Sequence, residues 1–317
     1  MNEVKEILAM NEAQLRRQCA LSVGNLYGRL DSGKSWYNKM AKDIISCGWE
    51  RCPTEPCLFV RFDNDGTLIG LWSTYVDDMT VMAPTDELAI GYLQEVNKKF
   101  PLDQISRLKF LLNMKYIQTK DGIGISQSVL VNKTLQAFGF DPENYKTSRP
   151  VATPAETHLE YADVDIVREE KDQPDFDYRK AIGCLLYIAV QTRPDILRAV
   201  NYHAKFVSCF GPRMVDGVKR IFRYLVKYTD IWHWFPADDD WHITLSTDAS
   251  FAHGIELKSI TGGNIMLGGA LIAVLSKQQT MVAKSTTEAE SSALIMNESY
   301  LIALTDLCRW TKLWQLP

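Results

Sequence analysis

Residues 67–84, TLIGLWSTYVDDMTVMAP, set two adjacent aspartates, Asp77 and Asp78, between two apolar runs. The flanks, 68–75 and 79–83, are rich in Leu, Ile, Val, Trp, Thr and Tyr. Two such runs around a two-residue break read as a β-hairpin with Asp77-Asp78 at its tip. Asp-Asp is a common turn dipeptide, because short carboxylates hydrogen-bond nearby backbone N–H groups. A two-residue turn nevertheless favours Asn-Gly or Asp-Gly, which accept positive φ. Two carboxylates at one tip also repel, so one is pushed towards protonation unless a cation sits there. A locally unfavourable choice of this kind is expected where function overrides folding. These residues leave two readings open, a plain turn and a tip that holds a cation.

The chain has 317 residues, 46% hydrophobic and 23% charged, which suits a soluble globular protein of two or more domains. No apolar run approaches the ~20 residues of a membrane span, so no membrane partner is expected. The opening MNEVKEILAMNEAQLRRQ is mixed-charge and amphipathic, without the apolar centre of a signal peptide. Seven cysteines, an odd number, point to a reducing intracellular compartment, cytoplasmic or nuclear. Cys47, Cys52 and Cys57 lie five apart, which is not a zinc-ligand spacing.

The net charge of −4 conceals an uneven distribution. Residues 156–177 hold nine acids against Arg168 and Lys171, a local −7 that leaves +3 for the rest of the chain. Residues 193–227 hold eight bases against Asp195 and Asp216, or +6. In VDGVKRIFRYLVKYT, Val218, Ile221, Phe222, Leu225 and Val226 fall on one helical face, and Lys219, Arg220, Arg223 and Lys227 on the other. That second face is either solvated surface or a phosphate-backbone contact.

Along the chain, 11–49 reads as helix with a glycine-bearing break at GNLYGRLDSGKSWY. CLFVRF, the turn DNDG and TLIGLWSTY form a strand–turn–strand unit, and PTDELAIGYLQEVNKKF a helix capped by Thr85. LKFLLNMKYIQTKDGIGISQ reads as another hairpin, with a helix after it that ends near Gly139. Residues 151–177 read as an acidic, Pro-bearing linker. Two helices follow it, then WHITLSTDASFA, TGGNIMLGG and ALIAVLSKQ as a meander, then one long helix in which Ser285 and Glu288 stand in capping-box relation.

In that order, LYGRLDSGKSWY, EPCLFVR, YVDDM, RPVATP, AIGCLLYIAVQTRPDILRAVN with KRIFRYLVKYT, STDASFA and STTEAES resemble the reverse transcriptase and ribonuclease H of copia-type long-terminal-repeat retrotransposon Pol polyproteins. The resemblance implies an α+β, partial right-hand polymerase followed by a connection region and a truncated ribonuclease H-like domain. Fingers and palm would occupy 1–122, a thumb-like segment 123–150, the linker 151–177, a helical connection 178–236 and the ribonuclease H-like part 237–317. It implies Mg²⁺, with Mn²⁺ as a substitute, held by Asp77 and Asp78 in the polymerase and by Asp248 and Glu290 in the ribonuclease H. Tyr75 would lie near the primer terminus, and Gly28, Ser32 and Gly33 would shape the nucleotide pocket. The partners would be an RNA/DNA template–primer and deoxynucleoside triphosphates. Two-metal phosphoryl transfer needs a carboxylate cluster around both ions. The family's third polymerase carboxylate lies on a strand before the Leu-Tyr-Gly segment, where this chain has only Glu3, Glu6 and Glu12 in a helical pattern. Leu30-Asp31 replaces the family's Lys-Gln, and Asp306, in a helix, is a poor substitute for later ribonuclease H carboxylates. Both sites are therefore expected to be incomplete. The same resemblance also fits a non-catalytic nucleic-acid-binding remnant or a domesticated retroelement protein.

Overall fold

A computed structural model of the protein describes residues 30–144, 148–157, 159–237, 242–253 and 257–312. The chain forms two compact units, divided between Ile105 and Ser106.

In the first unit a helix, α1 (Ser32–Ile45), precedes a four-stranded antiparallel sheet of order β1-β2-β3-β4: Glu50–Arg51, Leu58–Phe62, Leu68–Tyr75 and Asp78–Met82. A second helix, α2 (Asp86–Asn97), closes it. The expected Thr85 cap is formed, its side chain accepting from Leu88 N–H. Asp63 Oδ1 builds the expected turn between β2 and β3 by accepting from the N–H groups of Asp65 and Thr67. Along β3, Leu68, Gly70, Trp72 and Thr74 face inward in strict alternation. Trp72 shares one core with Met40 and Ile44 of α1, Tyr92 and Val96 of α2, and Trp49. The Trp49 ring stands edge-on to Trp72 at 5.5 Å and to Tyr92 at 5.4 Å. Gly70 leaves the room this needs, since a Cβ there would strike the Trp49 ring.

The second unit begins with β5 (Phe110–Leu111), β6 (Met114–Thr119) and β7 (Gly122–Ser126), the expected hairpin. Helix α3 (Ser128–Ala137) follows and ends as expected near Gly139, at φ 77°. Its Val131 and Leu135 join one core with α4 (Tyr178–Gln191), α5 (Leu197–Ala204) and α6 (Pro212–Lys227). Val218, Ile221, Phe222, Leu225 and Val226 are all buried there, as their spacing requires. β8 (His233–Pro236) then adds to β7, which gives a sheet of order β5-β6-β7-β8. β9 (Ile243–His253), β10 (Lys258–Leu267) and β11 (Ala270–Gln278) form an antiparallel meander, and α7 (Thr286–Thr311) covers one of its faces. Ser285 caps α7 through Glu288 N–H, while the Glu288 carboxylate reaches Lys284 N–H, so the reciprocal half of the expected box falls one residue earlier.

Two expected boundaries differ. Residues 106–126 belong with the helices that follow, because β8 hydrogen-bonds to β7. Residues 151–177 are a packed strap, not a linker. Tyr161 is buried in the helical core, Asp165 pairs with Arg213 at 2.7 Å, and Gln173 Nε2 donates to the carbonyls of Val167 and Ser208. Composition concealed this because a few apolar anchors hold an otherwise acidic strand of chain. The six described cysteines outside residues 1–29 are all free thiols.

At the centre of this unit His203 is 1% exposed, and burial holds its imidazole down at about 4 against an ordinary 6.5. Tyr178 Oη lies 3.2 Å from its Nδ1. The unfolded chain binds a proton here between those two values and the folded chain does not, so stability falls as pH drops from about 6.5 to about 4. The full loss is on the order of 3 kcal/mol. Urea titrations across this range should show it, with a smaller drop in His203→Gln. Two glycines give a second test. Gly217 on α6 abuts His203 and Tyr161, so Gly217→Ala should cost about 2 kcal/mol by overpacking. Gly183 on α4 has open space around it, so Gly183→Ala should add up to about 1 kcal/mol in the same titration.

Candidate active site

β3 and β4 form the expected hairpin, but its two-residue loop is Val76-Asp77, and Asp78 pairs with Tyr75 as the first residue of β4. The physical reason lies in the ladder. This register sets Ser73 opposite Thr80, where the two hydroxyls meet at 2.6 Å, and Trp72 opposite Val81. A loop at Asp77-Asp78 would set Ser73 against Met82 and lose that bond. Thr74 N–H donates to the Cys57 carbonyl, tying the hairpin beside its turn to the segment before β2.

Strand alternation directs Met79, Val81 and Ala83 to the core with Trp72, and Asp78 to the other face with Ser73, Tyr75 and Thr80. The structure thus brings Tyr75, Asp77 and Asp78 together at one exposed hairpin end. Tyr75 is 60% and Val76 66% exposed. Val76 sits at φ 52°, a region that β-branched residues avoid. Backbone held there costs of order 1–3 kcal/mol and is concentrated at functional sites.

The other candidates are placed elsewhere. Ser32 and Gly33 open α1, and nothing lies within 4 Å of a Cβ added at Gly33. Gly28 lies outside the described residues. Asp248 and Glu290 are both exposed, on β9 and in the first turns of α7. The β9 residue that meets α7 is Thr247, whose hydroxyl accepts from Asn297 Nδ2 at 3.0 Å. Its β10 partner Gly263 also abuts Asn297, whereas a Cβ on Gly262, opposite Asp248, would meet only the Asp248 carbonyl, at 3.7 Å. Asp248 therefore projects from the face opposite to that of Thr247. Among the described residues no group of three or more His, Cys, Asp or Glu side chains could hold a metal ion.

The basic face of α6 is largely committed. Arg220 Nη2 donates to Thr153 Oγ1 at 2.9 Å, and its Nη1 lies 3.9 Å from Glu156. Lys219 Nζ lies 5.7 Å over the Phe176 ring, and Lys227 Nζ 5.3 Å over Tyr228. Arg223 Nε donates to the Lys219 carbonyl at 3.4 Å. The strap between 151 and 177 neutralises part of the face that the sequence offered to phosphates. Sequence reasoning missed this because acids and bases far apart in the chain meet only in the fold. No helix of the described residues is long and apolar enough to cross a membrane.

Residues 7–154 match the family model described as reverse transcriptase (RNA-dependent DNA polymerase). The chain is 32% identical over 273 residues to the retrovirus-related Pol polyprotein from transposon TNT 1-94 of Nicotiana tabacum, covering 84% of this chain and 20% of that protein. It is 26% identical over 266 residues to the Pol polyprotein from transposon RE1 of Arabidopsis thaliana, covering 84% and 17%. Against the transposon TyH3 Gag-Pol polyprotein of Saccharomyces cerevisiae the identity is 25% over 316 residues, covering 93% and 17%. The chain thus spans a fifth or less of the length of these relatives. No solved structure matches it.

The hairpin turn generates its own test. Glycine accepts φ 52° without a Cβ penalty, so Val76→Gly should raise stability by about 1 kcal/mol despite its greater freedom when unfolded. The measurement is the urea midpoint; a loss of stability would show that the turn carries no strain.

Proposed function

Because this chain belongs to the reverse transcriptases of copia-type retrotransposon Pol polyproteins, we propose that it acts in RNA-directed DNA synthesis through the hairpin that carries Asp77 and Asp78. The observation that carries this reading is the pair itself, exposed beside Tyr75 on a hairpin tied close to its turn and strained at that turn. Extending a primer places negative charge on an attacking and a leaving oxygen. A divalent ion held there neutralises that charge, and such ions take oxygen ligands from few carboxylates plus the substrate's own phosphates. Asp77 and Asp78 supply such oxygens on adjacent backbone positions. In this reading Tyr75, the cross-strand partner of Asp78, stands beside the primer terminus, and Ser32 and Gly33 serve the nucleotide. The ligands of the complex are an RNA or DNA template–primer and deoxynucleoside triphosphates.

We further propose that 237–317 is ribonuclease H-like, on the order of three antiparallel strands followed by a long helix. It carries Asp248 on β9 and Glu290 in the first turns of α7. A second reading is a nucleic-acid-binding protein without catalysis.

Extension of a primed RNA template separates the two. The purified chain is expected to give little or no product at saturating Mg²⁺ and a trace with Mn²⁺, which the double variant Asp77→Asn, Asp78→Asn abolishes. Robust synthesis that the variant abolishes would show that a carboxylate beyond the described residues completes the cluster. Synthesis that survives the variant would overturn the assignment of Asp77 and Asp78.

A further inference from the structure

The sheet face that turns away from α7 has a ligand-sized cleft beside it. β11 on this face is held by the helices: Asn201 Nδ2 of α5 donates to the Ser276 carbonyl at 2.7 Å, and Val274 packs on the helical core. Between α5, strap residues 154–159 and the sheet lies a cavity of about 430 Å³. That volume falls in the range of small-ligand sites and suits one nucleotide. Its floor is Ile260, Ser276 and Gln278, and its α5 wall carries Arg198, Tyr202 and Lys205.

The charges in this cleft are unequal. Its two acids are both engaged outside it, Asp195 with Arg193 and Tyr224, each at 2.8 Å, and Glu156 with Arg220. Arg198, exposed at the rim, makes no hydrogen bond or ion pair among the described residues. About two helical turns further along the same wall, Lys205 Nζ lies 5.4 Å over the Tyr202 ring. A guanidinium at the rim, an aromatic and aliphatic interior and the Gln278 amide suit a phosphodiester joined to a planar base.

The cleft also leads somewhere. Ser276, Gly262 and Asp248 form one cross-strand row on this face. Strand spacing sets Asp248 about 10 Å from Ser276. Gly262 between them carries no side chain, and a Cβ there would approach only the Asp248 carbonyl, at 3.7 Å. A strand leaving the cleft along this row meets no side chain at Gly262 before Asp248.

We propose that this cleft binds single-stranded nucleic acid, with a phosphate on Arg198, a base over Ile260 beside Gln278, and the strand continuing across Gly262 to Asp248. This rests on the reading of the chain as a nucleic-acid enzyme and adds a site separate from the Asp77–Asp78 hairpin. It assigns Asp248 to the cleft rather than to a pair with Glu290.

The test is fluorescence anisotropy of the full chain with labelled oligothymidylate, and in parallel with a primed RNA template. Arg198→Glu should weaken oligothymidylate binding roughly tenfold and lower the slope of affinity against salt by about one or more. Gly262→Phe should weaken it by obstruction without changing the salt slope. Crosslinking with 4-thiothymidine oligonucleotide should label peptides from 198–205 and 258–278. Both variants at wild-type affinity, or crosslinks confined to other peptides, would overturn the cleft and leave the polymerase reading standing. A wild-type chain that binds the primed template and not the single strand would do the same. A wild-type chain that binds neither probe would overturn both.

Discussion

The position of Asp78 depends on one contact, the 2.6 Å meeting of the Ser73 and Thr80 hydroxyls across β3 and β4. It fixes which residue stands opposite which, and so decides that the chain reverses at Val76-Asp77. Below it Trp72, fully buried against Trp49, fixes which face looks inward. A change of facing would move every side chain of the strand to the opposite side, so Trp72 constrains Asp78 from six residues away. A small patch of packing thus positions polar groups that it never touches. The cost is borne at Val76, where a β-branched residue takes positive φ.

Much of this was legible in the sequence where local periodicity and local capping decide structure. The hairpins, the Thr85 and Ser285 caps and the buried face of α6 all follow from residues close together in the chain. The exact loop did not follow, because both closures of β4 keep Met79, Val81 and Ala83 inward, and only a cross-strand hydroxyl pair separates them. The strap was illegible for a related reason. Its acids dominate the composition of 156–177, while its attachment rests on Tyr161, Asp165 and Gln173 meeting partners up to 52 residues away.

The same long-range pairing bears on electrostatics. A count along the chain places the polyanion footprint on 193–227, yet Arg213 and Arg220 meet strap carboxylates, and Arg193 lies buried in a bidentate pair with Asp195. Surface ion pairs such as that of Arg213 contribute little stability. Their larger effect is to cancel the local field that would attract phosphate. Charge patterning therefore marks where opposite charges can meet, and only the fold shows which cations still face solvent.

Strand alternation settles the role of the sheet residues in the same manner. Thr247 and Asp248 are neighbours in sequence, and a motif reading treats the segment around them as one signal. On β9 they belong to opposite faces: Thr247 joins Thr261 and Gly263 under α7, where Asn297 and Gln279 satisfy the buried polar groups. In that network Asn297 Nδ2 and Gln279 Nε2 are the donors, to the Thr247 and Thr261 hydroxyls and to backbone carbonyls. A carboxylate there would gain partners, but Asp248 is one residue out of phase. Any chemistry available to Asp248 therefore comes from the face away from α7, where Gly262, between Asp248 and Ser276, carries no side chain.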